Sequence, residues 1–255
     1  MIRPAAVAGL FYPGDAHTLE KTVDGFLDVP AATSPTPRAL VAPHAGYVYS
    51  GSTAGQAYAC WKGADLGPVV VLGPCHRVGI PALALPDADA LATPLGEVSV
   101  WERGVELVSD FEQVVQDARV HAEEHSIEVH LPFLQRLGVT EVLPLAVGWV
   151  SPADVAEVLD VLFTEPELRF VVSSDLSHYL TYPEAQAQDA QTIERILALE
   201  SVGHEDACGY YPLNGFLLAA RDHGWQPKLL AACNSGDTAG DKRRVVGYAS
   251  FAFYE

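Results

Sequence analysis

The chain is short of basic residues. Fifteen lysines and arginines face 33 aspartates and glutamates over 255 residues, a formal charge of −18. That balance repels a phosphate backbone and an anionic bilayer, so neither nucleic acid nor a membrane is an expected partner. No segment has the uninterrupted apolar length that a membrane span needs. Residues 1–9 carry no secretory apolar core with a cleavage signal, and the expected location is cytoplasmic. Cys60, Cys75, Cys208 and Cys233 form no C-x-x-C pair and read as free thiols rather than a disulfide framework. G-x-S-x-G, the P-loop and a G-x-G-x-x-G after a strand are all missing, so no nucleotide cofactor is indicated. Low-complexity stretches, charge runs, long linkers and internal repeats are absent as well. Residues 30–37 are a short Pro/Ala/Thr/Ser connector, and 1–255 is expected to be one domain. A composition of 49% hydrophobic and 19% charged residues suits a soluble globular protein with a sizeable core.

What the chain does have is short apolar runs alternating with helical periodicity. Strands are expected at 38–42, 68–72, 82–85, 141–147, 169–173, 228–233 and 245–254. Several are unbroken Val/Leu/Ala runs, the mark of strands buried on both faces. Helices are expected at 53–61, 102–117, 126–137, 153–163, 184–199 and 206–223. Ser151-Pro152 supplies an N-cap and first-turn proline, and Gly224 follows the last apolar turn of 206–223. The alternation predicts an α/β fold, a three-layer α/β/α sandwich around a mostly parallel central sheet. The partly alternating run 245–254 reads as an antiparallel edge.

Three histidines follow such runs in turn-like settings: His44 in Ala-Leu-Val-Ala-Pro-His-Ala-Gly, His76 in Val-Val-Val-Leu-Gly-Pro-Cys-His, and His178 in Phe-Val-Val-Ser-Ser-Asp-Leu-Ser-His. Ligand crevices of open α/β sheets form at the carboxyl ends of strands, so imidazoles delivered there point to a metal or acid–base site. Pro43 and Gly46 bracket His44 in a sharp turn that aims it into the crevice; a loop histidine capping that turn is the plainer alternative. Gly51 and Ser52 are expected to open the next helix, whose first amides could hold an anion. Cys75 sits beside His76, but adjacent side chains rarely reach one ion, and it reads as a small buried filler. Arg77 either binds an anionic substrate group or is solvated. Asp175 and His178, three apart, face one spot if the segment starts a helix, the pairing by which a carboxylate tunes an imidazole. Otherwise Asp175 or Ser174 is an N-cap.

The stretch 121–130 is more ambiguous. His125 and His130 are five apart, which is not H-E-x-x-H. His125 and Glu128 share a helix face at i, i+3, His121 and His125 are an i, i+4 pair, and His125 is a candidate for orienting other ligands. Glu124 reads as a first-turn acid favoured by the helix dipole. Cys208, expected in the first turn of 206–223, would have its pKa lowered by that dipole and be a better ligand or nucleophile than Cys60 or Cys233.

Taken together these segments resemble the Memo family, known in prokaryotes as protein B of the AmmeMemoRadiSam system. The resemblance is carried by Arg3-Pro4-Ala5 with Gly9-Leu10-Phe11-Tyr12-Pro13, by Pro43-His44-Ala45-Gly46-Tyr47 with Tyr49-Ser50-Gly51, and by Leu72-Gly73-Pro74-Cys75-His76. It continues through residues 124–132, Ser173-Ser174-Asp175-Leu176-Ser177-His178 and Asp206-Ala207-Cys208-Gly209. It implies a fold similar to the class III extradiol dioxygenases (the LigB-like group). It also implies a metal site of His44, His76 and Cys208, with His178 and Asp175 nearby as acid–base groups. Tyr49, His125, Glu128 and Arg77 are then expected around the ligands or the substrate. Where the dioxygenases complete their Fe(II) triad with a carboxylate, this chain offers a thiolate, which admits copper or zinc as readily as iron. That ligand is also oxidisable. The expectation is a metal-dependent redox enzyme with one divalent or redox ion, Fe(II) first and copper or zinc as alternatives. A binding or scaffold protein that keeps the crevice, and a metal carrier, are the competing classes. A small molecule or anionic peptide is the expected ligand, and other proteins of the AmmeMemoRadiSam group are expected partners.

Overall fold

The unbroken apolar runs become strands covered on both faces. A computed structural model describes residues 1–30 and 35–255, so the middle of the 30–37 connector lies outside the described residues. The strands are β1 (Ile2–Arg3), β2 (Ala39–Ala42), β3 (Val69–Pro74), β4 (Leu83–Leu85), β5 (Ala90–Thr93) and β6 (Gly96–Val100). They continue with β7 (Val114–Gln116), β8 (Glu141–Val147), β9 (Arg169–Ser173), β10 (His178–Leu180), β11 (Gln226–Asn234) and β12 (Val245–Tyr254). The helices are α1 (Ala16–Leu27), α2 (Tyr47–Tyr58), α3 (Glu102–Val108), α4 (Ala118–Ala122) and α5 (Leu131–Arg136). After them come α6 (Pro152–Phe163), α7 (Tyr182–Leu197), α8 (Tyr210–Asp222) and α9 (Ser235–Thr238).

All twelve strands join one sheet, whose spine β6-β8-β3-β9-β2 is parallel throughout. Alternate residues of one strand enter different cores. Val70 and Leu72 face the layer of α3, α6, α7 and α8, where Leu159, Phe216 and Ile196 pack. Val69 and Val71 face the layer of α1, α2 and α5, with Val23, Ala57 and Phe133. The sheet is therefore the middle of three layers, as expected from the absence of alternation in its strands.

Several boundaries differ from those the sequence predicts. The 102–117 helix stops at Val108, because Val114–Gln116 pairs in parallel with β4 and sheet contact outweighs helical periodicity. The 53–61 helix begins six residues earlier, at Tyr47, whose N–H reaches the Phe11 carbonyl at 2.7 Å. Gly51 thus lies inside α2, where a Cβ would come within 2.4 Å of the Phe26 ring, and the anion site expected at its amide is not formed. The 206–223 helix begins only at Tyr210, which keeps Pro212 in the first turn, where its missing N–H costs nothing. The 126–137 helix is a 3₁₀ turn, Glu128–His130, followed by α5. Residues 174–177 form an irregular link between β9 and β10 rather than a helix, so Asp175 and His178 do not share a helix face. The strand β12 is antiparallel as expected but not an edge, since β2, β10 and β11 all pair with it.

The amino-terminal segment is tied to the body by Glu128. This buried carboxylate pairs with Arg3, accepts the Ala6 and Val7 amides at 2.8 and 3.0 Å, and takes the Tyr12 hydroxyl at 2.6 Å. Arg3 and Glu128 are 7% and 1% exposed, so removing either partner strands a charge in the interior. Glu128→Ala is expected to cost about 3–5 kcal/mol, a fall in Tm on the order of 10 °C for a chain of this size. A thermal melt of this variant indistinguishable from wild type would show that the ion pair contributes nothing.

Candidate functional site

His44, His76 and Asp175 follow β2, β3 and β9, three adjacent parallel strands, at their carboxyl ends. The chain there opens on a cavity of about 1000 Å³. Its wall includes His125, His178 and Cys208, and toward the outside Tyr49, Arg77, Trp149 and Arg244. Close backbone approaches build this corner. A Cβ on Gly73 would meet Ser126 Oγ at 2.5 Å, and one on Gly209 would meet the Ser173 carbonyl at 2.5 Å. The first glycine lets the end of β3 lie against the 124–127 loop; the second seats Cys208 against the end of β9.

The rings of His44, His76 and His125 pack with centroids 5.0, 5.4 and 4.7 Å apart. Among the described residues two three-residue groups bring their ligand atoms within 4.8 Å of one another: His44, His76 and His125, and His44, Asp175 and Cys208. His44 belongs to both, and His76 and Cys208 fall in different groups. His125, expected to orient ligands from nearby, is itself in ligand position. Its Nδ1 is buried without a hydrogen-bond partner, 3.3 Å from Glu124 Oε1.

Asp175 accepts the His44 backbone N–H at 2.8 Å on Oδ1, and its Oδ2 lies 3.9 Å from His44 Nε2. Burial pushes its pKa up to about 6, against the opposing pull of the His44 amide and of His178. His178 starts β10 and donates Nδ1–H to the Leu176 carbonyl at 2.8 Å rather than to Asp175. Cys208 Sγ is 3.2 Å from His44 Nε2 and accepts the Asp175 N–H at 3.3 Å. It precedes α8 instead of standing in its first turn. Burial, reinforced by Asp175, raises its pKa well above the ordinary thiol value, the opposite of the expected dipole effect. Cys75 is half-buried, and burial with Glu124 pushes its thiol up to about 12, which agrees with an inert filler. Glu128, by contrast, is the amino-terminal anchor described above and is no part of the cavity wall.

The residue the sequence undervalued is Glu124. It caps no helix. Its carboxylate accepts the His76 amide at 2.5 Å and His76 Nδ1 at 2.9 Å, and the His125 and Ser126 amides at 2.9 and 3.0 Å. Burial raises its pKa, but the His76 side chain and these amides win and hold it down to about 2. An ionised Glu124 fixes the His76 proton on Nδ1 and leaves Nε2 as the free donor atom, as carboxylates do behind metal-bound histidines. Nothing in the local pattern distinguishes this role from a helix-start acid. Only the density of His and Glu over 121–130 hints at it.

Comparison with known proteins agrees with the resemblance seen in the motifs. The family profile described as Memo-like protein matches residues 3–252. Curated relatives described as MEMO1 family proteins include one from Sulfolobus acidocaldarius, 37% identical over 99% of both chains. Another, from a Thermotoga species, is 36% identical over 98% of this chain and 99% of its own. A third, from Aquifex aeolicus, is 34% identical over 99% of each.

Burial sets the acid response of this corner. It lowers His121 and His125 to about 4 and His130 to about 3, and His44 well below its ordinary value. The unfolded chain then binds more protons, so this stability is full above pH 6.5 and is lost as pH falls toward 4 and 3. Asp175, raised to about 6, works the other way, its contribution being lost as pH rises through that value. Four histidines outweigh one carboxyl. The Tm of chelator-treated protein is expected to fall steeply between pH 6.5 and 4; a flat melt profile over that window would contradict this account.

Proposed function

The chain belongs to the Memo-like protein family, and we propose that it is a metal-dependent redox enzyme whose single ion is held by His44, His76 and Cys208. The 3.2 Å approach of His44 Nε2 to Cys208 Sγ carries this reading. A thiolate and an imidazole on one tetrahedral ion stand about 3.6 Å apart. The His44–Cys208 contact therefore has only to open slightly, whereas His76 and Cys208, which fall in different groups, have to draw together around the ion. The donor set suits the group: a thiol whose proton leaves on binding, His76 with Nε2 freed by Glu124, and His125 close enough to act as a further ligand. Two imidazoles with a thiolate accept Fe(II), copper or zinc, with Fe(II) the first choice for a site that must keep open positions.

Bound there, a redox ion would supply electron transfer and a place for substrate at the head of the cavity. The chain's own groups do the rest. Asp175, with a carboxyl near pH 6, takes and returns a proton beside His44. His178, its Nδ1–H committed to Leu176, offers Nε2 as an acceptor. Arg77 and Tyr49 hold the outer part of a small anionic molecule, Arg77 through its charge. A ring-cleaving dioxygenase-like reaction is the closest chemical analogy, modified by a softer third ligand.

Protein prepared without oxygen or chelator, loaded with Fe(II) and desalted, tests this. Wild type is expected to retain about one ion per chain, while His44→Ala and Cys208→Ser weaken binding by more than about 100-fold. Equal metal content in all three proteins would sink the proposal, and an equal lack of retained metal would favour a binding protein that uses the crevice without a metal. Metal bound with no oxygen consumption in the presence of a reductant would favour a carrier.

A further inference from the structure

Behind His44, on the side away from the cavity, a chain of buried hydrogen bonds runs into the core. His44 Nδ1 lies 2.6 Å from Ser173 Oγ. The same oxygen is 2.6 Å from the Ser126 carbonyl oxygen and 2.9 Å from His130 Nε2. His130 Nδ1 in turn lies 2.9 Å from the Tyr58 hydroxyl. All five residues are buried, Tyr58, Ser126 and Ser173 completely.

The polarity of this chain admits one arrangement. A serine hydroxyl has a single proton, and the Ser126 carbonyl can only accept, so the Ser173 proton goes there. Both imidazoles must then donate to Ser173. His130, with its proton on Nε2, has a bare Nδ1, which accepts the Tyr58 O–H. Burial keeps His130 neutral by lowering its pKa to about 3, so it carries no second proton that would upset this order. His44, with its proton on Nδ1, turns the Nε2 lone pair toward Cys208, whose protonated thiol donates to it. The opposite tautomer of His44 would press a nitrogen lone pair against the Ser173 oxygen in the buried interior.

We propose that Ser173, with its direction set by His130 and Tyr58, is a positioning residue that holds His44 as the Nδ1–H tautomer. The consequence for metal affinity rests on the function proposed above; the tautomer itself does not. It is read in metal-free protein by long-range ¹H–¹⁵N correlation spectra of the imidazoles, with His44 assigned by its loss in His44→Gln. Wild type is expected to show the His44 proton on Nδ1. Ser173→Ala, which removes the acceptor but little volume, is expected to move it to Nε2, where Cys208 Sγ can take the hydrogen bond, and to weaken Fe(II) binding about 10–100-fold. Ser173→Thr, which keeps the hydroxyl, is expected to restore both, and near-ultraviolet circular dichroism checks that each variant is folded. A wild-type His44 protonated on Nε2, or a tautomer unmoved in folded Ser173→Ala, would overturn the proposal. A tautomer that moves while Fe(II) affinity stays constant would leave the positioning role standing and count against His44 as a ligand.

Discussion

Imidazoles packed ring to ring at the head of the cavity cannot all carry charge, and each neutral ring has one N–H that must find an acceptor. The structure around His44, His76 and His125 is largely the answer to that constraint. Glu124 receives His76, and Ser173 receives His44 and His130 from opposite sides. The Leu176 carbonyl receives His178, and the Ala84 carbonyl lies 2.8 Å from His121 Nε2. These acceptors come from β4, from the end of β9 and the loop that follows it, and from the loop after α4. The cluster therefore exists only when the whole carboxyl end of the sheet is assembled, and it cannot form locally.

Two glutamates four residues apart divide the labour in the 121–130 segment. Glu124 looks inward, collecting amides and a ring N–H at the site, while Glu128 looks back to Arg3 and Tyr12 and anchors the first turn of the chain. That anchoring reaches the site as well. Phe11, carried on the anchored segment, lays its ring 4.5 Å from that of His125 and hydrogen-bonds through its carbonyl to the start of α2, just after His44. A loss at Glu128 would thus loosen one wall of the histidine cluster without touching any candidate ligand.

Seven of the described strands were legible, and 141–147, 169–173 and 245–254 match β8, β9 and β12 residue for residue, the first two as apolar runs buried on both faces. The short strands β1, β5, β6, β7 and β10 carry no such run and were not anticipated. Their order was not readable. That the strands before His44, His76 and Asp175 are immediate neighbours is a fact of tertiary pairing. Helix starts failed where a backbone partner from far away decides them, as the Phe11 carbonyl does for Tyr47. The same holds for the site. His44, His76, His178 and Cys208 announce themselves by type and position. Glu124, Ser173, His130 and Tyr58 are ordinary residues in ordinary settings, and only three-dimensional proton accounting singles them out.

His44 is the pivot between two donor sets of different character. Toward His76 and His125 the site offers nitrogen atoms that are ready when the rings are neutral. Toward Cys208 and Asp175 it offers a thiol and a carboxyl that burial holds in their protonated forms to higher pH than usual. An ion that settles among the imidazoles need displace no proton, whereas one that recruits Cys208 must drive the thiol proton out. Soft ions gain most from that exchange, because thiolate is the ligand they prefer. On the metal-site proposal, the hydrogen bond between Cys208 and His44 Nε2 would be more than a resting contact: it would help set how strongly an ion must favour sulfur before the second donor set is used.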